Sequence, residues 1–100
     1  MAVHVLALSV DVRIADAHSL KEKRSVVSTI LEGARRRFQV AVSETGRTDA
    51  QNRAELAFVG VSGSATHTAE LIDSVERFVW SFPEIEVVES QRDWLEVDPW

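Results

Sequence analysis

The sequence predicts an α+β fold in which two helices cover one face of a four-stranded antiparallel sheet. Three observations predict it: four strand-like segments, two amphipathic segments with helical spacing, and their order along the chain, β-α-β-β-α-β. Right-handed crossovers place both helices on the same face and give the strand order 4-1-3-2. Because 100 residues suffice for one hydrophobic core, we expect a single domain over residues 1–100.

The first half of the chain is predicted to contain a strand and a capped helix. Residues 3–13 alternate, and the set that includes Leu6, Leu8 and Val10 should face the helices. Ser19 and Glu22 have the spacing of a capping box, which predicts a helix start there and a helix that runs to about residue 37. Its apolar stripe consists of Leu20, Val27, Ile30, Leu31, Ala34 and Phe38.

The second half is predicted to contain three strands and one helix. Short strands are expected over residues 40–44 and 55–61, and the polar loop 45–52 between them is longer than a tight hairpin turn, which favours a mobile or functional segment. A second helix should span about 65–81, before Pro83, and a last strand about 85–97, which becomes acidic toward its end.

Composition and charge exclude several classes of function. The absence of cysteine excludes disulfides, thiolate metal sites and cysteine nucleophiles. The chain begins directly with a strand, without a basic leader or an apolar run of membrane-spanning length, so we expect a cytoplasmic protein and no membrane association. The net charge of -5 argues against binding nucleic acid by bulk attraction.

The first helix nevertheless concentrates positive charge. Cations in its first turn oppose the positive end of the helix dipole, at a cost of about 0.3 to 1 kcal/mol each. On a helical wheel Lys21, Arg24, Ser28, Arg35 and Arg36 share one stripe, which Glu32 interrupts. Such a stripe is suited to RNA phosphates, with the free amides of the helix start as a further anion site. The predicted phosphate contacts are Ser19, Lys21, Lys23, Arg24, Arg35 and Arg36.

An ordinary solvated helix face is the alternative to this anion-binding interpretation. In that case Glu32 would pair with Arg36, four residues further on, and Lys23 or Arg24 would pair with Asp16 or Glu22.

The sheet face opposite the helices is predicted to be open. Val3, Val5 and Ala7 of the first strand should lie on it, and a partner such as a second copy would cover them. Scattered small apolar residues are the alternative. Trp80 falls outside the apolar arc of the second helix and is a candidate interface residue, unless it covers the sheet end or packs with the tail around Trp94 and Trp100.

Residues 17–24 carry a resemblance to a known family. They read Ala17-His18-Ser19-Leu20-Lys21-Glu22-Lys23-Arg24, and Val26-Val27, Glu44 and Arg53-Ala54 extend the match. This pattern resembles the YlxP-like family, also called domain of unknown function 503. The resemblance implies a ferredoxin-like fold and a small bacterial protein without an established activity. It also implies a gene context near a translation initiation factor and a ribosome-binding factor, which suggests the ribosome by association only.

The loop after the second strand departs from the family pattern. Relatives tend to carry an aromatic residue followed by Gln-Arg-Ala, whereas this chain reads Gln51-Asn52-Arg53-Ala54. The role of the 45–52 loop is therefore open in this chain.

The sequence predicts neither an enzyme nor a metal site. His4, His18 and His67 come from separate segments without the spacing of paired ligands, and no nucleophile elbow or Gly-rich phosphate loop is present. We expect no cofactor. The leading hypothesis is a non-catalytic accessory protein that contacts ribosomal RNA or a ribosome-associated protein through the first helix. The alternative is a homodimeric protein-interaction or small-ligand-binding module that uses the open sheet face.

Overall fold

The computed structural model describes residues 2–97 and contains six elements in the predicted order. They are β1 (Val3–Arg13), α1 (Leu20–Phe38), β2 (Ala41–Gly46), β3 (Arg53–Ser62), α2 (Ala65–Trp80) and β4 (Glu86–Val97). The strands form one sheet of order β2-β3-β1-β4, and every neighbouring pair is antiparallel. The predicted α+β, ferredoxin-like fold with strand order 4-1-3-2 is therefore confirmed.

The core lies between the helices and one face of the sheet. β1 buries alternate residues, Leu6, Leu8, Val10 and Val12, as its period of two predicts. The helices meet this layer through stripes spaced three and four residues apart, including Ile30 and Ala34 of α1 and Ile72, Val75 and Val79 of α2. These residues belong to one cluster of buried side chains.

Both helices begin at a serine cap. The Ser19 hydroxyl accepts the amide of Glu22 at 3.1 Å, as predicted. The Glu22 carboxylate reaches back past the cap to the amide of His18, at 2.6 Å. Ser64 caps α2 in the same way, with its hydroxyl accepting the His67 amide at 3.2 Å. These bonds satisfy donors that a helix start leaves unpaired.

The hairpin between β2 and β3 is tighter than the sequence predicted. β2 continues to Gly46 and β3 begins at Arg53, so the connection shortens to residues 47–52. The pairing shifts between Glu44 and Gly46, which leaves Thr45 as an extra residue in the ladder. Arg47 follows with a positive φ of 59°, the conformation that turns the chain out of the strand.

No helix within residues 2–97 has the length and apolar content needed to cross a membrane.

Candidate functional site

Lys23 lies inside the protein rather than on the basic face of α1. Its side chain is fully buried, and its ammonium lies 2.5 Å from the Glu44 carboxylate near the end of β2. Two backbone carbonyls complete the site, those of Arg47 at 3.0 Å and Thr48 at 3.3 Å. The three N–H groups of the ammonium thus have three acceptors. This arrangement fixes the 47–52 loop against the first turns of α1.

The prediction that Lys23 contacts phosphate is therefore wrong. A charged side chain with no exposed surface and three internal acceptors has no donor left for a ligand. The helical wheel indicates this burial, because at about 100° per residue Lys23 falls between Ile30 and Ala34, inside the apolar stripe. A lysine at such a position needs a buried carboxylate, and Glu44 provides it.

Two further hydrogen bonds hold the 47–52 loop to the connector before α1. The Gln51 side-chain amide donates to the Ala17 carbonyl at 3.0 Å, and the Ile14 amide donates to the Asn52 carbonyl at 2.9 Å. Residues of the sequence motif at 17–24 thus meet the hairpin directly, through Ala17 and Lys23. The contacts give this part of the motif a role in holding the fold.

The remaining predicted cations of α1 are exposed. Lys21, Arg24 and Arg36 make no hydrogen bond or ion pair with other residues of the 2–97 range. Arg35 differs, because it pairs with Glu32 at 2.8 Å. Glu32 therefore pairs three residues onward with Arg35, which corrects the expected pairing with Arg36. The hydrogen bond from Arg35 and its positive charge lower the pKa of the Glu32 carboxyl, and the charge of Arg36 acts in the same direction to a smaller extent.

Ser19 and the start of α1 are poorly arranged for an external anion. The Ser19 hydroxyl oxygen already accepts the Glu22 amide, and the Glu22 carboxylate lies at the same helix start through its bond to His18. A carboxylate at this position takes the place that a phosphate would occupy at the positive end of the helix dipole. The anion-binding surface is thus reduced to Lys21, Arg24, Arg35 and Arg36.

The open sheet face is apolar at one end. Cross-strand pairs project from the same face, and Val5 of β1 pairs with Val61 of β3 and with Leu95 of β4. Val61 and Leu95 are each 60% exposed. Val3 pairs with Val97, which is 41% exposed. Val3 and Val5 therefore belong to an apolar patch across three strands, which we call the valine patch and define as Val3, Val5, Val59, Val61, Leu95 and Val97.

Trp80 does not join this patch. It lies on α2, on the helical side of the sheet, and is 60% exposed. The three predicted interface residues thus lie on two different surfaces of the protein. Whether Trp80 serves an interface or packs with the tail stays a prediction, and Trp100 lies outside the described residues.

The other end of the open face is charged. Glu55, Asp11 and Glu89 are register partners on β3, β1 and β4, which places three carboxylates in one row. Arg53 donates to Asp11 at 2.7 Å, and Arg47 lies 3.8 Å from Asp11 and 3.9 Å from Glu55. The arginines offset the repulsion that like charges on neighbouring strands produce. Residues 2–97 contain no cluster of histidine and carboxylate side chains that could hold a metal ion.

Comparisons with known proteins assign a family but no activity. A family model described as "Protein of unknown function (DUF503)" matches residues 5–92. The chain is also similar to the "Uncharacterized protein YlxP" of Bacillus subtilis (strain 168), with 40% identity over 82 residues. That match covers 82% of this chain and 89% of the relative. Neither description names a substrate or a partner.

Proposed function

This chain belongs to the DUF503 family of proteins of unknown function, and from that premise we propose that it is a cytoplasmic, non-catalytic accessory protein that binds RNA at the ribosome through α1. The observation that carries the proposal is the row of exposed cations on this helix. Lys21, Arg24 and Arg36 make no hydrogen bond or ion pair with other residues of the 2–97 range, and their exposed side chains can contact phosphates.

The charge of the whole chain makes this row distinctive. Residues 20–38 contain six lysine and arginine residues against two glutamates, although the full chain has a net charge of -5. With Lys23 neutralised by Glu44, the exposed surface of α1 still carries an excess of positive charge. An RNA backbone would be attracted to this helix and repelled by the acidic remainder of the surface, which orients the encounter.

The length of the row suits a nucleic-acid backbone. Fifteen residues separate Lys21 from Arg36, or about 22 Å at the rise of an α-helix. Cations spread over this distance contact several successive phosphates, and such contacts position a protein without reading the base sequence. Binding an RNA backbone in this way requires positive charges at suitable positions along the helix but no catalytic group.

Co-sedimentation with ribosomal subunits from the same source at about 50 and about 200 mM salt tests the proposal. We expect the native protein to pellet with a subunit at the lower salt, and the double variant Lys21→Glu/Arg24→Glu to remain in the supernatant. Arg77→Glu is the matched control, because Arg77 is an exposed cation on α2 whose side chain bonds only to Ser74 among the described residues. Equal pelleting of native protein and double variant would refute the proposal.

A homodimer through the open sheet face is the second candidate function, and the valine patch favours it. A two-fold axis parallel to the strands would place patch on patch, and the charged end of one copy on the charged end of the other. That end offers both signs, Arg53 and Arg47 beside Asp11 and Glu55. The whole face, four strands wide, measures on the order of 600 Å² a copy, which reaches the lower range for a stable interface.

Sedimentation velocity of the pure protein tests this second candidate. A dimer that Leu95→Lys and Val61→Lys each convert to a monomer would support it. Val88→Lys is the matched control, because Val88 is 50% exposed at the irregularity between β1 and β4, away from the patch. A native protein that remains monomeric at high micromolar concentration would exclude this interface.

A further inference from the structure

A groove on the helical side of the molecule lies between the last turn of α1 and the first turns of α2. Arg36, Arg37 and His67 supply its polar lining, and Phe38 and Leu71 supply its apolar lining. Val61, whose side chain projects from the open sheet face, borders the groove at the edge of β3. Gln39, immediately after α1, completes the wall.

The groove exists because β3 is longer than its partner at this end. Pairing with β2 begins at Ala41 and Val59, whereas β3 continues to Ser62. Gln39 takes a left-handed conformation with φ of 53°, which ends α1 and turns the chain toward β2. The end of β3 at Val61 is therefore uncovered by β2, and the two helix ends border the resulting space.

No acidic residue lines this groove, in contrast to three other concave regions of the described surface. Three other concave regions of the described surface each contain at least two carboxylates: Asp11, Glu55 and Glu89 in one, Glu32 and Glu44 in another, and Asp16, Glu22 and Glu84 in the third. In a chain with a net charge of -5, a groove lined by two arginines and a histidine is suited to an anionic ligand.

The aromatic side chains at the groove are fixed by their neighbours. Phe38 packs edge-to-face on Phe78 with ring centroids 5.7 Å apart, and the Arg37 guanidinium lies 5.0 Å from the centre of the Phe78 ring. Arg37 is thus held by a cation–π contact, whereas Arg36 is exposed and makes no hydrogen bond or ion pair with other residues of the 2–97 range. Phe38 and Leu71 offer apolar surface beside the exposed Arg36 guanidinium.

A hydrogen-bond donor for phosphate beside an aromatic and aliphatic surface is the combination that binds a nucleotide of a single strand. The guanidinium of Arg36 and the ring of His67 can donate to phosphate oxygens, while an unstacked base packs on the apolar side chains. Lys21, Arg24 and Arg35 precede Arg36 along α1, so a strand that follows this helix arrives at the groove.

We propose that this groove binds one nucleotide of a single-stranded RNA, with the phosphate at Arg36 and His67 and the base against Phe38 and Leu71. The inference rests on the proposed function, because the cations of α1 bring the strand to the groove. The inference goes beyond the proposed function because it requires an unpaired base, which duplex RNA does not present.

Fluorescence anisotropy with a labelled ten-nucleotide RNA and with a duplex of the same sequence tests this inference. We expect the single strand to bind more tightly, and Arg36→Ala and His67→Ala each to weaken its binding by about tenfold or more, as loss of one hydrogen bond to a charged group implies. Thr66→Ala and Arg77→Ala are the controls, since both residues are exposed positions of α2 outside the groove. Circular dichroism verifies that each variant is folded.

The outcomes separate the two proposals. The groove proposal is refuted if single strand and duplex bind equally and the groove variants bind as the native protein does. If Lys21→Glu/Arg24→Glu loses RNA binding in the same experiment, the proposed binding of RNA by α1 still stands. Absence of binding to either RNA overturns both. Adenosine monophosphate provides a further test. If it shifts the NMR signals of His67 and Leu71 while the ten-nucleotide RNA does not bind, the ligand of the groove is a free nucleotide and the RNA proposal is refuted.

Discussion

The ammonium of Lys23 on α1 lies 2.5 Å from the carboxylate of Glu44 on β2. The lysine is fully buried, while the glutamate side chain keeps 17% of its surface exposed. The two residues lie 21 positions apart in the chain, and the lysine also donates to the carbonyls of Arg47 and Thr48. A single side chain of the sequence motif therefore holds the β2–β3 hairpin against the helix.

Glu44→Ala should destabilise the protein by about 3 to 5 kcal/mol, because it leaves a buried ammonium without its counter-charge. Urea denaturation followed by circular dichroism measures the loss. The double variant Lys23→Met/Glu44→Met should lose less than the sum of the two single variants, since it removes both charges together. Additive losses would show that the two residues contribute independently.

Lys23→Met should also separate stability from RNA binding. It removes a positive charge from α1, as Lys21→Met does, but the charge it removes is buried. We expect Lys21→Met to reduce the slope of log affinity against log salt by about 0.7 to 0.9, the value for one phosphate contact. Folded Lys23→Met protein should keep the native slope. A reduced slope for Lys23→Met would mean that the buried pair opens when RNA binds.

The order of the elements could be predicted from the sequence because burial imposes its period on each of them. The alternation in β1 and the apolar stripes of the helices correspond to the observed core. The charge of Lys23 favours an exposed side chain, whereas its position on the helical wheel lies within the apolar stripe and favours burial. The structure agrees with the position.

The candidate sites could be predicted only in part, because they depend on register. Val3 and Val5 were assigned to the open face from alternation alone, but the exposed Val61 and Leu95 join them only through the pairing of β1 with β3 and β4. The groove at Arg36 and His67 needs two helix ends and an overhanging strand, and no short segment of sequence contains that information.

Gly33→Ala should destabilise the protein, although alanine is the better helix former by about 1 kcal/mol. A Cβ at this position of α1 would lie 2.7 Å from the tip of the Phe78 ring. That ring cannot easily move, because it packs edge-to-face on both Phe38 and Phe82. Overpacking of this kind costs about 1 to 3 kcal/mol. Thermal denaturation measures the change, and a higher melting temperature would show that the helices separate without strain.

Gln39→Gly should have the opposite effect. Gln39 ends α1 with φ of 53°, in the left-handed region that glycine enters without the steric cost of a Cβ. Relief of the left-handed strain, about 1 to 2 kcal/mol, should exceed the entropic cost of glycine, about 0.5 to 1 kcal/mol. We therefore expect a net gain of roughly 0.5 to 1 kcal/mol in the free energy of unfolding. Gln39→Val should lose stability, because a β-branched residue is the least tolerant of positive φ. If both variants had the stability of the native protein, the left-handed turn would not persist in solution.

The ion pair between Glu32 and Arg35 should appear in the titration of Glu32. The hydrogen bond and positive charge of Arg35 hold the pKa of the Glu32 carboxyl below its ordinary value. A carboxyl whose folded pKa is depressed stabilises the protein above its unfolded pKa, and this stabilisation is lost as the pH falls through the folded pKa. Because the pair is exposed, its effect on stability should be small.

NMR titration of the Glu32 side chain should show the lower pKa. Arg35→Gln should raise this pKa toward the ordinary value, whereas Arg77→Gln should not. An unchanged Glu32 pKa in Arg35→Gln would show that Arg35 is free in solution, and Arg35 would then join Lys21, Arg24 and Arg36 as an unpaired cation available to RNA.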